Sequence, residues 1–215
     1  MSHAYPPIAL TGIHTDIGKT VCAAVLARAL QCDYWKPIQA GSLDHTDSDT
    51  VRQLSDTTHI HPETYRLQLA ASPHTAARAE QVTIALTDLN APATQQPLLI
   101  ETAGGVCSPI NDQHVVADLL AHYHWPTVLV TQHYLGSISH TVSAIDALKA
   151  RGIRILGLIV NGDAHAESEQ FITQYSHLPI LAHIARMDEL SAHNVAQQAL
   201  RIAPQLAVLK EYWTL

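Results

Sequence analysis

Residues 12–20 read Gly-Ile-His-Thr-Asp-Ile-Gly-Lys-Thr and resemble the pattern G-x-x-x-x-G-K-[ST], with five residues instead of four between Gly12 and Gly18. Gly12 and Gly18 let the backbone curl so that successive N–H groups face one anion. Lys19 is placed to reach the β- and γ-phosphates of a nucleotide, and Thr20 to put its hydroxyl on Mg²⁺. This stretch therefore predicts a nucleoside-triphosphate site.

Apolar runs and helical patterns alternate along the chain. Residues 8–11 predict a strand before the loop, and residues 20–30 predict the helix after it. Further strands are expected at 33–38, 97–101, 127–131, 155–160 and 180–184, and helices at 115–123, 138–152, 165–176 and 194–203. Residues 47–90 are polar and irregular, which indicates short helices and loops. We predict one domain over residues 1–215, a single-domain P-loop NTPase fold of the α/β class, with a mostly parallel central sheet and helices on both faces.

The composition is that of a folded protein without a strong positive charge. Of 215 residues, 47% are hydrophobic and 14% are charged, and the formal net charge is −7. No basic run could neutralise a phosphate backbone or an anionic membrane surface. The longest apolar runs, of about six residues, are far shorter than a membrane-spanning helix. We therefore expect neither nucleic acid nor a membrane as a partner.

The cysteines and histidines bear on the compartment and on metal binding. Cys22, Cys32 and Cys107 form no C-x-x-C pair, and the N-terminal residues lack a secretory pattern, so we expect a cytoplasmic protein. The fifteen histidines are scattered and include neither an H-E-x-x-H motif nor a zinc-like Cys/His spacing. We interpret them as residues of solvated faces and not as a metal site.

Three polar residues outside the loop are candidates for the same site. Glu101 ends a predicted strand, and the carboxyl ends of parallel strands meet near a phosphate loop, so its carboxylate could hold Mg²⁺. Asp49 is a second candidate for the metal, and Lys36 is a candidate for binding anionic groups. From spacing alone, a helix cap or surface acid is the simpler interpretation of Asp49, and a solvated turn that of Lys36.

These residues, with several others, resemble the dethiobiotin synthetase family. The matching stretches are Gly12 to Thr20, Lys36-Pro37 with Gly41-Ser42, Asp49, Glu101-x-Ala103-Gly104-Gly105 with Pro109, Leu135-Gly136-Ser-Ile138-x-His140, and Asn161. They follow the family's order and spacing over most of the chain. The phosphate loop is shared with many nucleotide-binding proteins, whereas the other stretches are more particular to this family.

The resemblance implies an ATP-dependent ligase that acts on 7,8-diaminopelargonate. One amine of this diamine would take up CO₂, supplied as CO₂ or bicarbonate, and the resulting carbamate would attack the γ-phosphate of ATP. The second amine would then close the cyclic urea, releasing dethiobiotin and phosphate. Such phosphoryl transfer depends on positioning and on stabilising charge at the moving group.

The same resemblance assigns roles to individual residues. Lys19 and Lys36 would be the catalytic cations. ATP would be held by Gly12, Thr15, Asp16, Ile17, Gly18, Lys19, Thr20, Val21, Asp49, Glu101, Gly104 and Asn161, with the asparagine at the adenine. Mg²⁺ would be bound by Thr20, Asp49 and Glu101. The diamine would be bound by Thr15, Lys36, Gly104, Gly136 and Ile138, the last two from the neighbouring subunit of a homodimer with a shared substrate site.

Six positions depart from the family pattern. The departures are His14 at a usual Asp position, Ala40 for a hydroxyl residue, Thr102 for Gly, Ser139 for a frequent Asn, and Ala185-Arg186 for a Pro-containing pair. The hydroxyl missing at Ala40 is typically worth about 0.5–1.5 kcal/mol. None of the departures removes a charge from the expected phosphoryl centre, so they bear on substrate affinity and nucleotide selectivity more than on the reaction.

Three other interpretations stay open from the sequence. Cobyrinic acid amide synthases use a similar loop but usually append a glutaminase domain, for which 215 residues leave no room. Nucleotide-switch ATPases of the ParA and MinD group usually carry a further lysine early in the loop, where this chain has Ile13 and His14. An inactive or substrate-shifted paralogue is the third possibility, to which Ala40 lends some weight. Phosphate release with diamine, bicarbonate and ATP separates these cases.

Overall fold

The fold is built on parallel strands connected by helices. The structure, a computed structural model, describes residues 5–56 and 58–214. Within them the strands are β1 (Ile8–Gly12), β2 (Asp33–Trp35), β3 (Ile38–Ala40), β4 (Ile60–His61), β5 (Tyr65–Leu67), β6 (Leu98–Gly105), β7 (Thr127–Thr131), β8 (Ile155–Asn161) and β9 (Ile180–Ile184). The helices are α1 (Lys19–Leu30), α2 (Asp47–Ser55), α3 (Pro73–Ala79), α4 (Val116–His122), α5 (Ser137–Lys149), α6 (Ala166–Ser176), α7 (Ala192–Ile202) and α8 (Ala207–Thr214).

Seven strands form one sheet in the order β4-β2-β6-β1-β7-β8-β9, and every neighbouring pair is parallel. The central strand β1 pairs with β6 through Ile8 and Leu99, and with β7 through Ala9 and Thr127. The short strands β3 and β5 form a separate parallel pair. The α/β class and the parallel central sheet predicted from the sequence are therefore confirmed.

The core lies in two layers, one on each face of the sheet. Alternate strand residues point to opposite faces, so Leu99 packs in the layer beside α1 and α7, whereas Ile100 packs in the layer beside α4 and α5. Both side chains are fully buried, each typically contributing about 1.5–3 kcal/mol of transfer free energy. Within the described residues, no helix has both the length and the apolar character that crossing a membrane requires.

The predicted elements differ from the structure mainly at their ends and in the segment 47–90. The single strand expected at 33–38 is broken at Lys36-Pro37, so that β2 joins the large sheet and β3 pairs with β5. Pro37 has no N–H to continue a ladder, which explains the break. The strand expected at 97–101 continues to Gly105. The strands β4 and β5 were not predicted, because two or three residues carry little periodicity. The helix α8 was not predicted either.

Candidate functional site

The phosphate loop connects the buried end of β1 to the first residue of α1. Gly18 caps the helix with a left-handed φ of 85°, and no side-chain hydrogen bond caps the first turn. A Cβ on Gly12 would lie 2.6 Å from Cγ2 of Ile17, so the loop closes only around glycine there. Because the first N–H groups of α1 lack a side-chain cap, they suit an anion.

A buried cluster of charged and hydroxyl groups lies beside this loop. Glu101, on β6, has no exposed surface. Its Oε1 accepts a hydrogen bond of 2.9 Å from Thr20 Oγ1, and its Oε2 accepts one of 2.9 Å from the Tyr34 hydroxyl. Lys36 Nζ lies 3.4 Å from Glu101 Oε1 and also forms an ion pair with Asp47. The first turn of α1, the segment after β2 and the middle of β6 therefore bring oppositely charged groups to one point.

Burial and the neighbouring charges act in opposite directions on the two lysines. For Lys36, burial alone would lower the pKa, but the charges of Glu101 and Asp47 outweigh burial and raise it. For Lys19, burial lowers the pKa, and the attraction of Glu101 opposes that change only in part. Burial and the Glu101 charge together raise the pKa of Tyr34 well above its usual value. Lys36 is therefore a cation at neutral pH, and Tyr34 keeps the proton that it donates.

A cavity of about 700 Å³ opens over this cluster. It brings together many of the residues predicted from the sequence: Thr15, Asp16, Gly18, Lys19, Thr20, Lys36, Glu101 and Gly104. It is also lined by residues that the sequence analysis did not place in the site: Gln39, Ser42, Asp47, Ser72 and Ser108. Two cations, three carboxylates and several hydroxyls thus face one space large enough for a polyphosphate and a small substrate.

Two residues missed by the sequence analysis contact the charged centre directly. Tyr34 stands two positions before Lys36, and residues at this spacing on a strand share one face. The two-residue spacing from Lys36 was the signal in the sequence that could have identified Tyr34. Asp47 stands two positions before Asp49 and faces Lys36, because the turn of α2 directs the two carboxylates differently.

Asp49 occupies a helix cap in the structure. Its Oδ2 accepts hydrogen bonds from Thr46 N (3.0 Å) and Thr46 Oγ1 (2.8 Å), and its Oδ1 contacts Arg52. Thr46 Oγ1 in turn accepts a bond from Asp49 N, which completes a capping box at the start of α2. The hydrogen bonds from Thr46 lower the pKa of Asp49 to about 2. This carboxylate is therefore ionised and already satisfied by its own helix.

Asn161, predicted at the adenine, and Val21, predicted to bind ATP, lie outside the large cavity. Val21 and Asn161 line a smaller cavity of about 240 Å³ together with Ala185 and Arg186. Asn161 Nδ2 donates a hydrogen bond of 2.9 Å to the carbonyl of Ile17, so it also holds the phosphate loop in place. Both Ile17 and Gly12 contribute to the loop's internal packing and do not line the large cavity.

Gly136 and Ile138 lie apart from the charged cluster. Gly136 caps α5 with a φ of 97°, and a Cβ built there would meet nothing within 4 Å. Both residues line a mainly apolar surface cavity of about 910 Å³, which they share with Leu135, Phe171 and Tyr175. Within one chain these two residues line a different cavity from the one over the phosphate loop.

Three of the departures from the family pattern have the following surroundings in the structure. Thr102 is buried and donates a hydrogen bond of 2.9 Å to Thr11, so the side chain that replaces Gly is satisfied across β1 and β6. Ala40 lines the large cavity, where Ser42 and Ser72 supply hydroxyls nearby. The His14 ring lies 5.5 Å from that of Tyr134, centroid to centroid.

Solved structures of nucleotide-dependent ATPases share this fold. MinD from Pyrococcus horikoshii, solved with Mg-ADP, matches with a TM-score of 0.57 and 16% identity, covering 95% of this chain and 97% of that one. A ParA family ATPase from Chlorobium tepidum matches with a TM-score of 0.56 and 16% identity, covering 98% of this chain and all of the other. At this identity the likeness shows the fold alone.

Sequence relatives are far closer. A family model described as an AAA domain matches residues 7–194. The ATP-dependent dethiobiotin synthetase BioD of Cytophaga hutchinsonii is 44% identical over 196 residues, which is 90% of this chain and 95% of the relative. The protein of the same name from Chlamydia pneumoniae is 41% identical over 207 residues, 96% of this chain and 90% of the relative. The chain belongs to the dethiobiotin synthetase family.

Proposed function

We propose that this enzyme uses ATP to join CO₂ to 7,8-diaminopelargonate and close the ring to dethiobiotin. The observation that carries the proposal is the placement of Lys19, Lys36, Asp47 and Glu101 around one cavity beside a phosphate loop. A reaction whose intermediates are a carbamate and a phosphoryl group needs cations on both sides of the transferred group.

The chain's own residues account for the steps of that reaction. One amine forms an N–C bond to CO₂ and loses a proton, and the carbamate that results is an anion that Lys36, kept protonated by its carboxylate neighbours, can bind. Lys19 and the first N–H groups of α1 are placed to hold the β- and γ-phosphates of ATP. A carbamate oxygen then bonds to the γ-phosphorus as the bond to ADP breaks. The second amine attacks the carbonyl carbon, and phosphate leaves.

The oxygen donors of the site fit Mg²⁺. Thr20 Oγ1 and Glu101 Oε1 are 2.9 Å apart beside the loop, and Mg²⁺ prefers one or two such oxygens together with phosphate oxygens. Bound there, the ion would neutralise charge on the phosphates. Asp49 stays a predicted third ligand, because in the structure its oxygens are engaged by Thr46 and Arg52.

We also propose a homodimer in which the partner completes the substrate site. An exposed apolar surface supports this: Leu135 is fully exposed, and Phe171 and Tyr175 are 48% and 57% exposed. Apolar side chains grouped in this way mark interaction surfaces. Gly136 and Ile138 line the same surface, so a second copy docked there would bring the N-terminus of one α5 to its partner's substrate.

We propose a cytoplasmic location for this reaction. The exposed thiol of Cys107 and the buried thiols of Cys22 and Cys32 are all free, as is usual in a reducing compartment. The buried pair is unreactive for a physical reason, because burial raises the pKa of both thiols above their usual value.

Product analysis tests the reaction. Wild-type enzyme, ATP, Mg²⁺, bicarbonate and the diamine should yield dethiobiotin by mass spectrometry and phosphate in equal amounts, with little phosphate when the diamine is omitted. The variant Lys36→Met should lose both products, whereas Lys210→Met, at an exposed lysine outside the site, should keep them. A rate of phosphate release that is the same with and without the diamine would instead indicate a nucleotide-switch ATPase.

Sedimentation tests the shared site. Leu135→Glu places a charge on the apolar surface and should yield a monomer with a raised KM for the diamine. The matched control is Leu200→Glu, at a leucine that is 72% exposed on α7, and it should stay dimeric with an unchanged KM. A wild-type monomer with full activity would overturn the shared-site proposal.

A further inference from the structure

A second group of potential ligands lies at the edge of the sheet. Asp33 is the first residue of β2. His61 is the last residue of the neighbouring edge strand β4, and His59 directly precedes that strand. One carboxylate oxygen and one ring nitrogen from each histidine all lie within 4.8 Å of one another. This is a carboxylate and two imidazoles, a donor set typical of transition-metal sites in proteins.

The backbone holds the three side chains on one face. β2 and β4 are parallel neighbours, and Tyr34 N donates a hydrogen bond of 2.9 Å to the carbonyl of His59. His59 and His61 are two positions apart, the spacing that puts strand residues on the same side. The rings are in edge-to-face contact, with centroids 4.6 Å apart. The arrangement therefore results from the pairing of the strands rather than from mobile surface side chains.

Asp33 is oriented as a ligand would be. It is only 6% exposed, and its Oδ2 accepts hydrogen bonds from His61 Nε2 (2.9 Å) and from Thr94 Oγ1 (2.7 Å). His61 is also buried, whereas His59 is exposed. A hydrogen bond from a second residue to a ligating carboxylate fixes its direction, and Thr94 supplies one. Asp33 and His61 are therefore held in place by burial and hydrogen bonds, and the exposed His59 side chain can move to complete the coordination of an ion.

We propose that Asp33, His59 and His61 form a site for one divalent ion of the Zn²⁺ type. Zinc bonds of about 2.0–2.2 Å place tetrahedral ligands about 3.4 Å apart. The ligand atoms lie within 4.8 Å of one another, so the exposed His59 ring has to approach by about 1.4 Å at most, and the 2.9 Å pair of Asp33 and His61 has to open slightly to admit the ion. The proton on His61 Nε2 moves to Nδ1, which frees the Nε2 lone pair for the ion. A water molecule takes the fourth position.

An ion at this site would join β2 to β4 just before the chain reaches Lys36. Because Zn²⁺ would bind the folded chain better than the unfolded one, it should stabilise the fold. Zn²⁺ binding at this site can be measured without measuring catalysis. Mg²⁺ prefers oxygen ligands and would not compete for a site with two imidazoles.

Zinc titration of the full chain tests the proposal. Calorimetry with Zn²⁺ in excess Mg²⁺ should show one saturable site per chain, and Co²⁺ in its place should give the visible absorption of a tetrahedral ion. His59→Ala removes an exposed ligand at little risk to folding and should weaken binding by at least about tenfold. Thr94→Val should weaken it by about tenfold through the lost support of Asp33. The matched control His193→Ala removes an exposed histidine on α7 and should leave binding unchanged.

The binding results either support or overturn the zinc site. Saturable binding that is weakened in His59→Ala and in Asp33→Asn, with a Zn²⁺-dependent rise in unfolding temperature lost in both, supports the site. Equal binding by wild type and His59→Ala overturns it, as does the absence of saturable binding at ion concentrations stoichiometric with the protein. Circular dichroism of each variant confirms that the fold is retained.

Discussion

The middle of β6 and the first turn of α2 each hold a carboxylate that the sequence predicts as a magnesium ligand, yet their surroundings differ. Glu101 is completely buried, and one of its oxygens accepts a hydrogen bond from Tyr34, a residue of another strand. The side chain of Asp49 is 38% exposed and is paired with Thr46 and Arg52 of its own helix region. One carboxylate is held by distant parts of the chain, and the other by its immediate neighbours.

The difference shows how surroundings determine what a carboxylate can do. A buried charge must be compensated by partners, and Glu101 obtains them from α1, β2 and the segment after β2. Two of those partners, Thr20 and Lys36, also line the cavity, so a change at Glu101 disturbs the site as a whole. Asp49 stabilises the start of α2, and its hydrogen bonds would have to break before it reached a metal. We therefore expect catalysis to depend on Glu101 and the local fold to depend on Asp49.

The largest expected effect is at Glu101. Glu101→Gln keeps the size of the side chain but removes the charge that Lys36 and Thr20 face. We expect turnover, measured as phosphate release with the diamine, to fall by at least about 100-fold, because a preorganised charge at a phosphoryl centre is commonly worth this much. A turnover within a factor of about three of wild type would remove Glu101 from the centre.

A smaller loss is expected at Tyr34. Tyr34→Phe deletes a buried hydrogen bond of 2.9 Å to Glu101 without changing packing. Since a hydrogen bond to a charged group contributes about 1.5–3 kcal/mol, we expect turnover or Mg²⁺ affinity to fall by about tenfold. Steady-state kinetics at several Mg²⁺ concentrations measures this. If Tyr34→Phe behaves as wild type, Glu101 is positioned by its other partners alone.

Asp47 should show a still smaller effect. Asp47→Asn removes one of two carboxylates that keep Lys36 charged, and the Asp47 side chain is 36% exposed, so solvent screens the pair. We expect a loss of about threefold in turnover that grows as pH rises, since the pKa of Lys36 is raised partly by Asp47. The pH profiles of wild type and variant, compared above neutrality, check this. Parallel profiles would contradict it.

The smallest effect on activity is expected at Asp49, with a cost in stability instead. Asp49→Asn weakens a capping box and should lower the free energy of unfolding by about 0.5–1 kcal/mol. The pKa of Asp49 is lowered from 3.8 to about 2, so its contribution is complete above the ordinary value and disappears as pH falls through about 2. Urea unfolding of both proteins at pH 6 and at low pH measures this. A stability difference that persists in acid would contradict the cap.

The fold could be predicted from the sequence where long apolar strands carry it. β7 and β9 have the predicted bounds, and α1 begins one residue before its prediction, because the glycines of the loop and the apolar runs are local signals. The strands β4 and β5 could not be predicted in this way. They are formed by pairing with β2 and β3, a partnership between distant residues that leaves no periodicity in so few positions.

The residues of the site could likewise be predicted only where a local signal or the family resemblance marks them. Lys19 and Thr20 followed from the motif, Glu101 from its place at the end of a predicted strand, and the family resemblance gave Lys36 its role. The structure brings these four residues together. Tyr34 carries no motif, since a buried tyrosine is ordinary in a strand. The grouping of Asp33 with two histidines is likewise visible only once β2 and β4 are paired, so scattered histidines gave no sign of it.

The most direct test is a Mg²⁺ titration of phosphate release in wild type, Glu101→Gln and Asp49→Asn, with ATP, bicarbonate and the diamine saturating. We predict that the Mg²⁺ concentration for half-maximal rate rises by at least about tenfold in Glu101→Gln and by less than about threefold in Asp49→Asn, because only Glu101 is directed at the loop. A rise in Asp49→Asn equal to or larger than that in Glu101→Gln would contradict the division of roles between the two carboxylates.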